Sequence, residues 1–186
     1  MSKPLSEYLK ENTKHLHDAT ETRFESQKIF DKTYKLDDYK KILWLNYIFH
    51  LNFEDRAYNA ISGEKAEALQ LDSRRKIDLL EKDLENLGMQ KAEKTAGISV
   101  ENEAEAFGIM YVMEGSTLGG NVIMKQLSRN PEFQNTEFSY FGCYADKTGD
   151  YWKNFKETLD SGFTEEQYDE VLKGTQKAYE YMMNAE

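Results

Sequence analysis

Apolar residues recur at helical spacing along almost the whole chain. Over 4–24, "PLSEYLKENTKHLHDATETRF", Leu5, Leu9, Leu16 and Thr20 share one face, and Pro4 suits a first turn, where its missing N–H is not needed. The segment 36–63 opens on Asp37 and Asp38, closes at Gly63 and is apolar around nearly its full circumference, which predicts a central, buried helix. A cleaner amphipathic pattern over 71–88 ends at Gly88. Two further helices are predicted over 148–162, with Thr148 as N-cap, and over 164–183, where Thr164 and Gln167 form a capping box. No alternation of strand type runs beyond a few residues, and no internal repeat or low-complexity linker interrupts the pattern. The reading is all-α, with six or so helices.

The remaining segment, 99–131, begins with an acidic turn and stops before Pro131. It is long for an ordinary helix and carries "YVMEGSTLGG" (111–120), with Gly115, Gly119 and Gly120 inside six residues. Each glycine costs roughly 1 kcal/mol against alanine in a helix interior. Three together predict a bend and call for something that offsets the loss.

Composition narrows the class. The chain has 186 residues, 39% hydrophobic and 13% aromatic, enough for one well-packed domain over 1–186. Only two prolines, Pro4 and Pro131, are present, as long helices require. A formal charge of −10 argues against a nucleic-acid partner and, more weakly, against an anionic membrane surface. The single cysteine, Cys143, excludes an internal disulfide and a zinc framework. The N-terminus has no apolar targeting core, and no run approaches the length of a membrane span. These features together predict a soluble, cytoplasmic protein.

Candidate chemistry is sparse. His15, His17 and His50 are the only histidines. His15 and His17 lie about 200° apart on the first helix, so at most one faces inward. His17 shares its flank with Lys10, Thr13 and Phe24. His50 sits in the aromatic run "WLNYIFHLNF" and reads as a core residue. No Glu-x-x-His, His-Glu-x-x-His, Gly-x-Ser-x-Gly, phosphate loop or dinucleotide fingerprint occurs. Gly108, Gly115 and Gly119 fall within about 40° of one another around their helix. Such a bare strip serves either close packing of another helix or the approach of a flat ligand to the main chain. A flat ligand with a metal centre needs an axial donor on the opposite wall, and His17 is the available one.

Two motifs resemble a known family. "LSEYLKENTKHLHDATE" (5–21) is similar to the first helix of haem oxygenases, with the pattern Leu…Thr-x-x-Leu-His…Glu. "YVMEGSTLGG" resembles the distal-helix motif of the bacterial, biliverdin-producing branch, and "YWKNFKETL" (151–159) resembles that branch's Trp-x-x-Phe segment. The resemblance implies a single-domain multi-helix bundle with a glycine-kinked distal helix. It places the iron ligand on His17, an orienting glutamate on Glu21 and a propionate-binding lysine on Lys10. It sets Gly115, Ser116 and Gly119 at the reacting centre. Thr13, Leu16, Tyr111, Gly120 and Tyr181 complete the haem-binding set it implies, with Lys173 and Lys177 on the same last helix. Ser116 stands where animal enzymes carry an aspartate, so protons must travel through water, backbone or hydroxyl groups.

The implied reaction opens haem, as substrate and cofactor, with O2 to biliverdin, carbon monoxide and ferrous iron. The electrons come from a donor protein such as a ferredoxin or a reductase. No nucleic acid and no membrane insertion is implied. Two other readings remain on sequence: a haem carrier or sensor without turnover, and a haem-free helical protein in which the glycines form a packing seam.

Overall fold

The computed structural model describes residues 3–185. Eight α-helices follow in order: α1 (Leu5–Arg23), α2 (Gln27–Phe30), α3 (Leu36–Asn59), α4 (Gly63–Leu69), α5 (Ile77–Asn86), α6 (Glu103–Leu127), α7 (Thr148–Gly162) and α8 (Tyr168–Asn184). Short 3-10 turns at Leu71–Arg74, Pro131–Phe133, Ala145–Lys147 and Glu165–Gln167 join them, and no strand occurs among the described residues. The all-α expectation holds, with local differences. The 36–63 segment ends four residues early, and Gly63 opens α4 instead of closing α3. The 71–88 segment divides into a 3-10 turn and α5. Thr148 is the first residue of α7, with Lys147 as its cap. The Thr164–Gln167 capping box is present, but it starts a 3-10 turn that leads into α8.

α3 is the central element. Residues on all its sides are buried, and it separates two apolar clusters. One cluster gathers Leu9, Phe49, Phe107, Met113, Phe155 and Val171 from α1, α3, α6, α7 and α8. The other gathers Tyr39, Leu43, Leu84, Leu127, Phe133 and Phe141 from α3, α5, α6 and the segment after α6. Full burial of side chains of this size contributes roughly 1.5–3 kcal/mol each, so these two clusters dominate what holds the helices together.

α6 starts on a defined cap, since the Asn102 side chain accepts from the Glu105 N–H at 3.0 Å. It then runs as one uninterrupted helix through all its glycines. Its first half lies against α8 at backbone distance. A methyl added at Gly108 would come within 2.0 Å of the Val171 carbonyl oxygen, and one at Gly174 within 2.2 Å of the Glu105 carbonyl oxygen. Only glycine permits that approach. The chain then turns back beneath α6. The buried Asp83 carboxylate fixes this return by accepting from the Ser139 and Tyr140 N–H groups, each at 2.9 Å. Among the described residues no helix is long and apolar enough to cross a membrane.

Candidate functional site

At 100° per residue, Gly115, Leu118, Gly119 and Val122 share one face of α6, spanning about 100°. That face is bare. Leu118 and Val122 are 40% and 45% exposed, and Phe30 of α2, at 56%, is the remaining large apolar side chain this open among the described residues. A methyl added at Gly119 would meet nothing within 4 Å, and one at Gly115 would rest in ordinary contact with Trp152 at 3.7 Å. Packing therefore requires neither glycine. Gly108 and Gly120 differ. Gly108 is pressed on α8, and Gly120 points inward, where a methyl would come within 2.6 Å of the Phe141 ring. The strip seen in the sequence thus divides into a packing half and an open half. Gly120, grouped there with the ligand set, lies on the buried side.

α1 and α6 both lean on α7 and α8 and make little direct contact with each other. On α1, Lys10, His17 and Glu21 are exposed and Leu16 is half-buried against the first cluster. Thr13 is buried, its hydroxyl donating to the Leu9 carbonyl at 2.8 Å. The His17 ring has Nδ1 3.7 Å from Asp18 and Nε2 3.9 Å from Glu21, both beyond hydrogen-bond length. Glu21, expected to orient the ring, thus stands nearest Nε2. The ring is exposed, and rotation about its χ2 exchanges the two nitrogens. The three side chains form a compact donor group, with ligand atoms within 4.8 Å of one another.

Tyr111 packs on Trp152, with ring centroids 5.5 Å apart. Burial, then the Asp160 charge, raises its phenol to about 12, so it is a donor at neutral pH. The Tyr179 hydroxyl of α8 is also raised, first by burial and then by Tyr111 and Glu21. Glu21 of α1 and Tyr111 of α6 therefore both lie within electrostatic reach of one α8 side chain. Tyr181 sits elsewhere. Its hydroxyl accepts from Asn52 at 2.8 Å, and its ring borders a cavity of about 640 Å³ between α3, α8 and the 92–99 strap. No residue of α1 or α6 lines that cavity. Lys177 is committed to the Ser99 carbonyl at 2.8 Å and to Glu105 at 2.5 Å.

Beneath the bare face runs a buried polar chain. The Ser116 hydroxyl donates to the Met113 carbonyl at 2.8 Å and lies 3.5 Å from the Tyr140 hydroxyl. Tyr140 donates to Asn46 at 2.8 Å and is 3.5 Å from His50 Nε2. His50 Nδ1 lies 2.8 Å from Glu54, which also accepts from the Lys76 N–H at 2.9 Å. Burial pushes the Glu54 carboxyl up, but His50 and Lys76 outweigh it and hold the group below its ordinary value. An ionised carboxylate only accepts, so Nδ1 carries a proton toward Glu54. Burial holds the Tyr140 phenol well above its ordinary value, so it stays protonated at neutral pH.

His50 read from sequence as a core residue, and it is one, 1% exposed. Its polar role was missed. The available signal is that Asn46, His50 and Glu54 recur every four residues on an otherwise apolar helix, a polar stripe on one face. Tyr140 carries no comparable local signal, since a long return of the chain brings it there.

The profile of the family described as "Heme oxygenase" matches residues 3–185. A curated relative, "Heme oxygenase" of Xanthomonas campestris pv. campestris (strain 8004), is 33% identical over 87 residues. That alignment takes in 47% of this chain and 52% of the relative, about half of each. Among solved structures, the NO- and CO-bound heme oxygenase of Neisseria meningitidis superposes with a TM-score of 0.78 at 24% identity, over 97% of this chain and 89% of that one. At that identity the likeness speaks for the fold.

Proposed function

The chain belongs to the haem oxygenase family, and from that premise we propose that it opens haem oxidatively, with O2 and electrons from a donor protein such as a ferredoxin or a reductase. The observation that carries the reading is the pair Gly115 and Gly119, two helix-interior glycines that no packing neighbour requires, set among exposed Leu118 and Val122. A flat apolar ligand explains both the missing side chains and the exposed apolar ones.

The residues fit haem. His17 offers an exposed imidazole as the iron ligand, with Glu21 and Asp18 at hand to hold its second nitrogen and keep the ring oriented. Leu118 and Val122, exposed on the same face as the two glycines, would lie against the macrocycle and exclude water. Leu16 adds apolar surface at the α1 wall. Lys10 and Tyr111 suit the two propionates, one by charge and one by hydrogen bonding. When bound, haem supplies both the iron that activates dioxygen and the ring that is cleaved, and the products are biliverdin, carbon monoxide and ferrous iron. The protein's own contribution at the reacting side is bare main chain at Gly115 and Gly119 and a controlled proton supply. Ser116 delivers protons at its hydroxyl and Tyr140 hands them on through its Oη, while Asn46, His50 and Glu54 hold the Tyr140 hydroxyl in place. One cysteine and no disulfide suit a reducing, cytoplasmic setting.

The test is direct. Hemin is titrated into the apoprotein, and the complex is given ascorbate or a reductase system. A Soret band should form, then decline as bilin absorption rises. A stable Soret band with no bilin would make the protein a carrier or sensor. Failure to bind hemin at micromolar concentration would sink the haem reading altogether.

A further inference from the structure

The bare face of α6 is useful only if it looks in a fixed direction, and the structure contains a device that fixes it. Glu114 immediately precedes Gly115 and is 0% exposed. Its carboxylate takes two buried cations, Arg74 Nη1 at 2.5 Å and Lys76 Nζ at 2.6 Å. It also accepts from the Tyr144 hydroxyl, 3.1 Å from each oxygen. Arg74 is pinned in turn to the Leu69 and Tyr151 carbonyls and to Asn154. Lys76 also donates to the Arg74 carbonyl at 3.0 Å. Tyr144 stacks flat on Tyr151, with ring centroids 4.0 Å apart. The next residue, Ala145, holds φ at +49°, a left-handed conformation that a side chain disfavours and that the surroundings therefore impose.

A buried ion pair is a poor source of net stability, because desolvation of its charges cancels much of their attraction. It is a good source of orientation, since any rotation of α6 would strand two cations out of contact with the one carboxylate that their side chains bridge to among the described residues. On the helix, Glu114 lies about 100° from Gly115 on one flank, and Ser116 lies about 100° from it on the other. Tyr144 holds the first flank and Tyr140 reaches the second. Both tyrosines come from the one stretch of chain that passes behind α6.

We propose that Glu114 and Tyr144 are positioning residues: with Arg74 and Lys76 they fix the rotation of α6 about its own axis, and so the direction in which Gly115 and Gly119 face. The proposal rests on the reading of that face as the ligand-bearing one. Glu114→Gln leaves two buried cations facing a neutral group and threatens the fold itself, so Tyr144→Phe carries the test. In the ligand-free protein, amide hydrogen exchange of 115–122 should quicken by about tenfold, the scale of one lost hydrogen bond to a charged group, while amides of α1 and α8 keep their protection. Unchanged exchange overturns the proposal, and so does an increase shared equally by all helices, which would mean a general loss of stability. The carbonyl stretch of the CO complex supplies a second readout. It should shift or broaden in Tyr144→Phe while hemin affinity holds, and an unmoved band overturns the proposal. If the wild-type protein binds no hemin, the haem reading has failed, and the exchange experiment alone decides whether this knot sets the helix.

Discussion

Two of the four glycines of α6 are held by neighbours and two are not, and substitution should tell them apart. Gly108→Ala drives a methyl into the backbone of α8, 2.0 Å from the Val171 carbonyl oxygen, with no flexible side chain to give way. It should destabilise the protein by several kcal/mol, on the scale of a core overpacking defect or more, and denaturant unfolding measures this directly. Gly119→Ala meets open space and removes a helix-interior glycine, so it should leave stability unchanged or raise it by up to about 1 kcal/mol. Gly119→Leu should keep the fold and cut haem turnover at least tenfold, because the bulk then stands where the proposed site would seat the macrocycle. Turnover equal to wild type in Gly119→Leu would contradict the proposed site. The histidines divide in the same way. His17→Ala should abolish the axial-ligand signature in the Soret spectrum, and His15→Ala should leave it in place.

At the level of elements, α3 does more than fill the core. Its Asn46, His50 and Glu54 form a polar stripe that meets Tyr140 behind α6. Tyr140→Phe removes the hydroxyl that reaches Ser116, Asn46 and His50 together. It should slow turnover and increase the solvent isotope effect while hemin binding stays at the wild-type level. Stopped-flow measurement in H2O and D2O checks this, and an unaltered isotope effect would move the proton route elsewhere. α6 itself does not break at its glycines. The expected loss of helix stability is offset in its first half by close packing on α8, and at Gly120 by Phe141. At Gly115 and Gly119 it stands without a packing return.

For the whole molecule, charge sets two expectations. The buried Glu54 carboxyl is held below its ordinary value of 4.5. A depressed folded value means that its contribution is fully present above 4.5 and is lost as pH falls through the folded value. The urea midpoint should therefore drop in acid below about pH 4.5, and Glu54→Gln should flatten that part of the profile. The net charge of −10 gives the second expectation. A donor protein that docks productively should present a basic surface, and its rate of electron delivery should fall as ionic strength rises, since exposed charges are screened within about 10 Å at 0.1 M salt. A rate independent of salt would argue for an apolar docking surface.

Periodicity alone determined that the chain is helical, that the helix opening at 36 is central and that one long helix carries an unusual glycine run. The two motifs pointed to His17 and to the 111–120 stretch. These are local properties, written in the spacing of side chains along one helix. Tertiary structure decided which glycines are packed and which are free, because the answer for Gly108 lies in α8, more than sixty residues further along. It also decided that Tyr181 borders a separate cavity and that Glu114 is the centre of a buried knot. The partners of such groups come from distant segments, and a helical repeat records only which face a residue occupies, never what folds back to meet it.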